Sequence, residues 1–125
     1  MFIFVATNSV RPGALERERG RVPGWVDYIR QHEPRLIAFH EFLSADGSEV
    51  EYVQVHPDVD SFEYHLGVLE ASDRSYRETL EATTSIRIYG VPTESILATL
   101  RASVGVDVPI TVVPTHLGGF TRRCT

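Results

Sequence analysis

The sequence predicts a small α+β protein built on a split βαββαβ unit that dimerises through its sheet. Two observations lead to this prediction. Apolar stretches typical of strands occur four times within the first 90 residues. Segments with helical spacing of apolar residues lie between the first and second of these strands and between the third and fourth. The 125 residues suffice for one hydrophobic core, so we expect a single domain over 1–125, with a core over 2–90 and a C-terminal helix and extended arm over 91–125.

The first strand is predicted over residues 2–7, because both of its faces are apolar. A helix follows from Leu15, since apolar residues then recur three and four positions apart. We expect Pro23-Gly24 to break or kink this helix and Glu33-Pro34 to end it, because the residue before proline avoids the α region. The apolar positions of the helix are Val22, Trp25, Val26 and Ile29.

A hairpin is predicted next. Residues 35–43 form its first strand and Glu49 to His56 its second, and Asp46-Gly47 supplies the turn between them. A second helix is expected to begin with a capping box from Asp60 to Glu63, followed by a short helix capped by Ser72. Residues 85–89 then form the fourth strand.

The C-terminal region is expected to contain a third helix, capped by Thr93 and ended by Gly105. Residues 108–113 form an extended segment. Because Pro109 and Pro114 flank it, it should occupy a sheet edge or an arm.

Composition excludes several classes of function. The formal net charge is −5, and only Arg122-Arg123 form a basic pair, so a nucleic-acid surface is not expected. The chain contains no lysine, which excludes a lysine Schiff base and a P-loop lysine. Cys124 is the only cysteine, so no intramolecular disulfide can form and we expect a cytoplasmic protein. No apolar run approaches the roughly 20 residues of a membrane helix, so no membrane partner is expected.

Several local patterns resemble the antibiotic biosynthesis monooxygenase-like family over about residues 2–90. The resemblance rests on the turn at Arg11-Pro12-Gly13, the break at Glu33-Pro34, the Asp46-Gly47 hairpin, and the strand Tyr52-Val53-Gln54-Val55 leading to a helix that contains His65-Leu66. It implies a ferredoxin-like antiparallel sheet, a homodimer of the dimeric α+β barrel kind, and a pocket between sheet and helices. It also implies oxidation of a polycyclic phenol, haem degradation, or no catalysis. Fold analogy alone does not choose among these activities.

Polar residues on strands that should be buried are the candidates for a site. On the third strand Tyr52, Gln54 and His56 share a face, and we expect His40 of the second strand and Arg87 and Tyr89 of the fourth to line the same pocket if the faces converge. A solvated or dimer-edge face is an equal alternative for Tyr52, Gln54 and Arg87. Trp25 is a candidate wall of the pocket or a plain core residue.

His40, His56 and His65 show no metal-ligand spacing, so no metal site is predicted, and structural or proton-transfer roles are favoured. Asn8 ends the first strand, where an amide suits a turn but also the binding of a substrate oxygen or of dioxygen, as the resemblance implies.

Three hypotheses of function follow. The first is a cofactor-independent monooxygenase-like enzyme acting on an aromatic or polyketide-type metabolite. In it His65 or His56 accepts a proton, while Asn8 and Arg87 stabilise negative charge, and His40, Tyr52, Gln54, Tyr89 and Trp25 bind the ligand. The second is a non-catalytic ligand-binding or assembly module whose arm meets a partner. The third is a haem-binding or haem-degrading protein.

Overall fold

The computed structural model describes residues 1–122. Arg123 of the predicted basic pair and the single cysteine, Cys124, lie outside the described residues. The elements are β1 (Phe2–Val10), α1 (Leu15–His32), β2 (Ala38–Leu43), β3 (Glu49–His56), α2 (Val59–Ala71), a 3₁₀ turn (Ser75–Glu78), β4 (Leu80–Tyr89), α3 (Glu94–Val104) and β5 (Ile110–Val113). Among the described residues, no helix combines the length and the apolar character needed to span a bilayer.

The strands form one sheet in the order β2-β3-β1-β4-β5. The first four pair antiparallel in the βαββαβ pattern, which confirms the predicted α+β, ferredoxin-like fold. The prediction of an antiparallel sheet needs one addition. β5 runs parallel to β4 at the sheet edge, because the crossover through α3 returns the chain in the same direction.

The core lies between this sheet and the helices. Alternate residues of β1 and β4 point to the helices, as strand geometry requires, and the ring centroid of Phe62 on α2 lies 5.0 Å from that of Phe2 and 4.7 Å from that of Phe4. The helix α3 closes one side of the core. Its predicted caps are confirmed, since Thr93 Oγ1 accepts from the Ile96 N–H at 3.1 Å and Gly105 adopts φ +92°. The buried core residues are Phe2, Phe4, Ala6, Phe62, Ile86, Ile88, Ile96 and Leu100.

Several predicted local features are wrong. The break expected at Pro23-Gly24 does not occur, because buried Trp25 and Ile29 hold the second half of α1 against the sheet and offset the lost hydrogen bond. A kink at this point stays a prediction. The N-cap of α2 is Asp58 rather than Asp60, since the Asp58 carboxylate accepts from the Ser61 N–H at 2.9 Å.

The remaining differences concern element ends. Ser72 ends α2 and does not begin a further α-helix, and only the 3₁₀ turn Ser75–Glu78 precedes β4. β1 and β4 are longer than predicted, because their polar ends pair with each other through residues such as Asn8 and Thr83. β2 begins only at Ala38.

The second face of the sheet carries no helix in the described part of the chain. Ile3, Val5, Val53 and Val55 lie half-buried on it, and Phe42 is 61% exposed there. This face is therefore partly apolar and partly open.

Candidate functional site

A cavity of about 470 Å³ lies between the sheet and the three helices. Its walls are mostly aromatic and aliphatic, with a few polar groups, which is the composition of sites for small apolar molecules. The aromatic and polar lining residues include Phe4, Asn8, Trp25, Phe39, Tyr52, Gln54, Phe62, His65 and Thr83.

One end of the cavity is charged. Glu70, Arg74 and Arg77, at the end of α2 and in the segment that follows, contribute to its lining. Glu70 and Arg77 are exposed, so this end opens toward solvent. Arg74 adopts φ +57°, the left-handed conformation that reverses the chain between α2 and the 3₁₀ turn.

His65 places an imidazole ring on the cavity wall. Its Nδ1 lies 2.6 Å from Oε2 of Glu33, the residue that ends α1. His65 is 4% exposed and Glu33 3% exposed, so the contact is shielded from water. A carboxylate placed behind a histidine fixes the orientation of the ring and stabilises the ring when it takes up a second proton.

A buried hydrogen-bond chain continues from His65 along β3 and returns to α2. Gln54 Nε2 lies 3.2 Å from His65 Nε2, and Gln54 Oε1 lies 3.0 Å from His56 Nε2. His56 Nδ1 in turn lies 2.8 Å from Ser61 Oγ. We call these five residues the buried relay: Glu33, His65, Gln54, His56 and Ser61.

The chemistry of the Gln54 amide determines where the protons of the relay lie. Its NH2 group donates, so His65 Nε2 accepts and His65 Nδ1–H donates to Glu33. Its carbonyl accepts, so His56 carries its proton on Nε2 and accepts from the Ser61 hydroxyl at Nδ1. Burial lowers the pKa of His56 to about 3, and neighbouring His65 acts in the same direction, so His56 is neutral near pH 7.

Asn8 places an amide on the cavity wall. It lies beside an irregularity in the pairing of β1 with β4, and its Oδ1 accepts from Thr83 Oγ1 at 2.7 Å. Because this contact uses the carbonyl, the Nδ2 donor of Asn8 is turned away from Thr83 and is available to an acceptor in the cavity.

A second polar cluster lies between α1 and the sheet. Arg21 donates from Nε and Nη2 to the two carboxylate oxygens of Glu18 at 2.8 Å each, and from Nη2 to the Tyr52 hydroxyl at 2.6 Å. Thr79 Oγ1 also donates to Glu18 at 2.6 Å. Burial would raise the pKa of Glu18, but the hydrogen bonds with Arg21 and Thr79 outweigh it and lower the pKa.

Glu41 of β2 completes this cluster in a different protonation state. Burial raises its pKa to about 8, and neighbouring Glu18 acts in the same direction, whereas Tyr52 and Arg21 oppose the rise. Glu41 Oε1 lies 3.8 Å from Arg21 Nη2, beyond hydrogen-bond distance. Near pH 7 the cluster therefore holds one carboxylate, one guanidinium and one neutral carboxyl group.

The structure brings together only some of the residues predicted from sequence. Asn8, Trp25, Tyr52, Gln54 and His65 line the cavity. The buried ring of His56 lies behind Gln54 and is not part of the lining.

The expected convergence of His40, Arg87 and Tyr89 on the same pocket is wrong. Their strand register places them on the open face of the sheet, because His40 pairs with Val53 and Arg87 with Val5. There Arg87 Nε donates to the Tyr89 hydroxyl at 2.7 Å.

Three carboxyl groups of the site were missed by sequence reasoning. Glu33 was interpreted only as the end of a helix, and nothing in its spacing marks it as the partner of His65. Glu18 carried a usable signal, because it lies four residues after Ala14 and seven before Trp25, on the buried side of α1. Glu41 carried a similar signal, because it lies two residues after Phe39 and so shares a strand face with it.

The residues present do not fit a haem or a metal ion. Both ring nitrogens of His65 and of His56 are engaged in the buried relay. Within residues 1–122, no group of three or more His, Cys, Asp or Glu side chains is placed to hold a metal ion. An iron ligand could be supplied only by breaking the contact of His65 with Gln54.

Known structures share this architecture. MupZ from Pseudomonas fluorescens superposes with a TM-score of 0.69 over 97% of this chain and 93% of its own, at 12% identity. A protein provisionally assigned as an antibiotic biosynthesis monooxygenase, from Deinococcus radiodurans, matches with a TM-score of 0.57 over 74% of this chain and 94% of its own, at 15% identity. The chain has the antibiotic biosynthesis monooxygenase-like fold.

The predicted resemblance is thereby confirmed at the level of fold. A provisionally assigned protein of this kind from Chloroflexus aurantiacus gives a TM-score of 0.55 over 74% of this chain and 92% of its own, at 12% identity. The likeness to MupZ covers more of the chain and so takes in much of the region after β4, where α3 and β5 lie. No protein-family model and no curated protein matches the sequence.

Proposed function

We propose that the protein is a cofactor-independent, monooxygenase-like enzyme that oxidises an aromatic or polyketide-type metabolite in the cavity. The observation that carries the proposal is the contact of His65 with Glu33 at the cavity wall, because it provides an oriented base inside an aromatic pocket. The provisional monooxygenase assignments of similar structures agree with it.

The substrate class is a polycyclic phenol whose keto form contains a ring CH2 group. In the reaction this CH2 group becomes C=O while one O2 is consumed and one water molecule is released. The substrate supplies all four electrons. The protein then needs only to accept a proton, stabilise negative charge and exclude bulk water.

The roles of the residues follow from their positions. His65 Nε2 accepts the substrate proton once its 3.2 Å contact with Gln54 Nε2 opens, and Glu33 stabilises the imidazolium that forms. The Nδ2 of Asn8 donates to the oxygen on which negative charge develops. Trp25, Phe39 and Tyr52 line the cavity, and their rings hold the flat ring system of the substrate.

The test is oxygen uptake and quinone formation with a panel of polycyclic phenols. His65→Ala should lower kcat by about 10²-fold or more, in the range that general bases supply. His32→Ala, in an exposed ring at the end of α1, is the matched control and should retain wild-type turnover. Equal turnover in wild type and His65→Ala, with unchanged circular dichroism, would refute the assignment.

We also propose that the enzyme is a homodimer joined through the open sheet face. The support is the apolar content of that face, on which Val53 and Val55 are only half-buried and Phe42 is exposed. Light scattering should give the mass of two chains for wild type. Val53→Asp should give a folded monomer, whereas Glu81→Ala, on an exposed position of β4, should not change the mass. A wild-type monomer at micromolar concentration contradicts the proposal.

A non-catalytic binding or assembly module is the second candidate. The observation that favours it is the exposure of Leu117 (97%) and Phe120 (82%) in the segment after β5, which has no helix or strand up to residue 122. Under this alternative, deletion of residues 115–125 abolishes association. Retained association together with phenol oxidation would dismiss it.

A further inference from the structure

The buried relay contains one group that can point in either of two directions. Gln54 is 4% exposed and lies between two histidines, with its NH2 on His65 and its carbonyl on His56. The two ends of an amide are alike in shape but opposite in hydrogen bonding. Turning the amide over therefore changes which nitrogen of each neighbouring ring must carry a proton.

The orientation in the structure fits the relay when Glu33 and His65 together hold one proton. In that state His65 Nε2 is unprotonated and accepts from Gln54, and His56 has its proton on Nε2. Every hydrogen bond of the relay then has one donor and one acceptor.

This orientation no longer fits after the Glu33–His65 pair takes up a second proton. The second proton lies on His65 Nε2, whether the first one stays on Nδ1 or moves to Glu33. The Gln54 NH2 would then point at an N–H group. A buried donor facing a donor costs free energy comparable to a lost hydrogen bond. Rotation of the Gln54 side-chain amide by about half a turn removes the clash, because its carbonyl then accepts from His65 Nε2.

The same rotation reaches His56. Its Nε2 would now face the Gln54 NH2 and must accept, so the proton of neutral His56 must lie on Nδ1. Ser61 Oγ, 2.8 Å away, can accept a hydrogen bond from Nδ1–H as readily as it can donate one to Nδ1. Burial keeps the pKa of His56 at about 3, so it changes tautomer and does not become charged.

We propose that Gln54 is a positioning residue whose amide turns over when the Glu33–His65 pair takes up a proton, and that this turn switches His56 between its two neutral tautomers. The role in turnover rests on the proposed function, in which His65 receives the substrate proton. The amide then acts as a stabiliser of the protonated base, and its return accompanies proton release.

The charged surroundings of the relay are few among the described residues. Glu33 arrives from the end of α1 and His56 from β3. On the far side of His56, Asp58 and Arg35 form a surface ion pair at 2.7 Å, and their effects on the pKa of His56 oppose each other. The proton on the Glu33–His65 pair is therefore the charge whose change bears most directly on the relay.

The test is nitrogen-15 NMR of the full chain labelled in histidine, recorded across a pH titration without substrate. As His65 is protonated, the His56 signals should exchange, with Nε2 moving to the unprotonated range and Nδ1 to the protonated range. The exposed ring of His40 lies on the other face of the sheet and serves as the internal reference. His56 that keeps its proton on Nε2 throughout would overturn the proposal.

The variant Gln54→Leu gives a second measurement. It removes both hydrogen bonds while keeping a side chain of similar volume, so His56 should no longer respond to the protonation of His65. If this variant fails to fold, the wild-type titration still decides. A His56 tautomer that responds to the protonation of His65, without phenol oxidation, would support the switch and refute the proposed function. Phenol oxidation with a fixed His56 tautomer would support the proposed function and refute the switch.

Discussion

The Nδ1 of His65 lies 2.6 Å from Oε2 of Glu33, although 32 residues separate them in the chain. The contact joins the end of α1 to the middle of α2, above the buried part of the sheet. Both helices therefore fix the direction of the His65 ring, and its Nε2 is left on the side of Gln54 at the cavity. A base positioned by two elements keeps its geometry better than one on a loop.

Glu33→Gln should abolish most of the contribution that Glu33 makes to the action of His65 as a base. Glutamine preserves the volume but carries no negative charge, so the ring loses the stabilisation of its protonated form. If the glutamine NH2 faces Nδ1, the ring also loses its tautomer. We expect kcat to fall by about 10²-fold or more with a smaller change in KM, measured as oxygen uptake with a phenolic substrate.

Glu16→Gln is the matched control, because Glu16 lies on the exposed side of the same helix and should retain wild-type kcat. A Glu33→Gln enzyme with wild-type kcat would show that the carboxylate has no part in the proton transfer.

Asn8→Asp should lower kcat nearly as much as Asn8→Ala, by roughly 10- to 100-fold, because a carboxylate oxygen cannot donate to developing negative charge. The Thr83 hydroxyl would still find an acceptor in aspartate, so the fold should be retained. Thr84→Ala is the control, because Thr84 follows Thr83 on β4 and is exposed. If Asn8→Asp matches wild type, the amide does not contact the reacting oxygen.

Most of the fold was predictable because it depends on periodicity. Alternation along β1 and the helical spacing of Ile96 and Leu100 follow from which residues must leave water, and the caps at Thr93 and Gly105 follow from local backbone chemistry. The continuation of α1 through Pro23 was not predictable in this way. There the burial of Trp25 and Ile29 outweighs a local preference, and burial is a property of the whole fold.

The site was less predictable for a related reason. Strand alternation places Gln54 and His56 on one face of β3, but it does not say whether His40 of the next strand shares that face. That depends on register, and a shift of one residue moves every side chain to the other side. The pairing of Glu33 with His65 depends on the packing of two helices, for which a single sequence carries no local signal.

The neutral carboxyl group of Glu41 should make stability fall as pH rises toward about 8. Its pKa is raised to about 8 in the fold, so between about pH 4.5 and 8 the folded state holds a proton that the unfolded state has lost. The free energy of unfolding therefore falls as pH rises through this range, by at most about 1.4 kcal/mol per pH unit. Urea unfolding from pH 6.5 to 9 measures the fall.

Glu41→Gln should remove this dependence, because glutamine does not titrate, and the variant should be more stable than wild type at pH 9. Glu51→Gln, at an exposed position on β3, should keep the wild-type slope. A wild-type stability that is constant from pH 6.5 to 9 would mean that Glu41 is ionised in the fold.

His56 should act in the opposite direction on the acid side. Its pKa is lowered to about 3 in the fold, so between about pH 6.5 and 3 the unfolded state takes up a proton that the folded state does not, and stability falls as pH falls. In wild type this slope and that of Glu41 nearly cancel between about pH 4.5 and 6.5. In Glu41→Gln the His56 slope should appear alone, as a loss of at most about 1.4 kcal/mol per pH unit on going from pH 6.5 to 4.5. Adding His56→Asn to Glu41→Gln should flatten the curve in this interval, because no buried titrating imidazole remains. A double variant that keeps the slope would locate the proton uptake in another group.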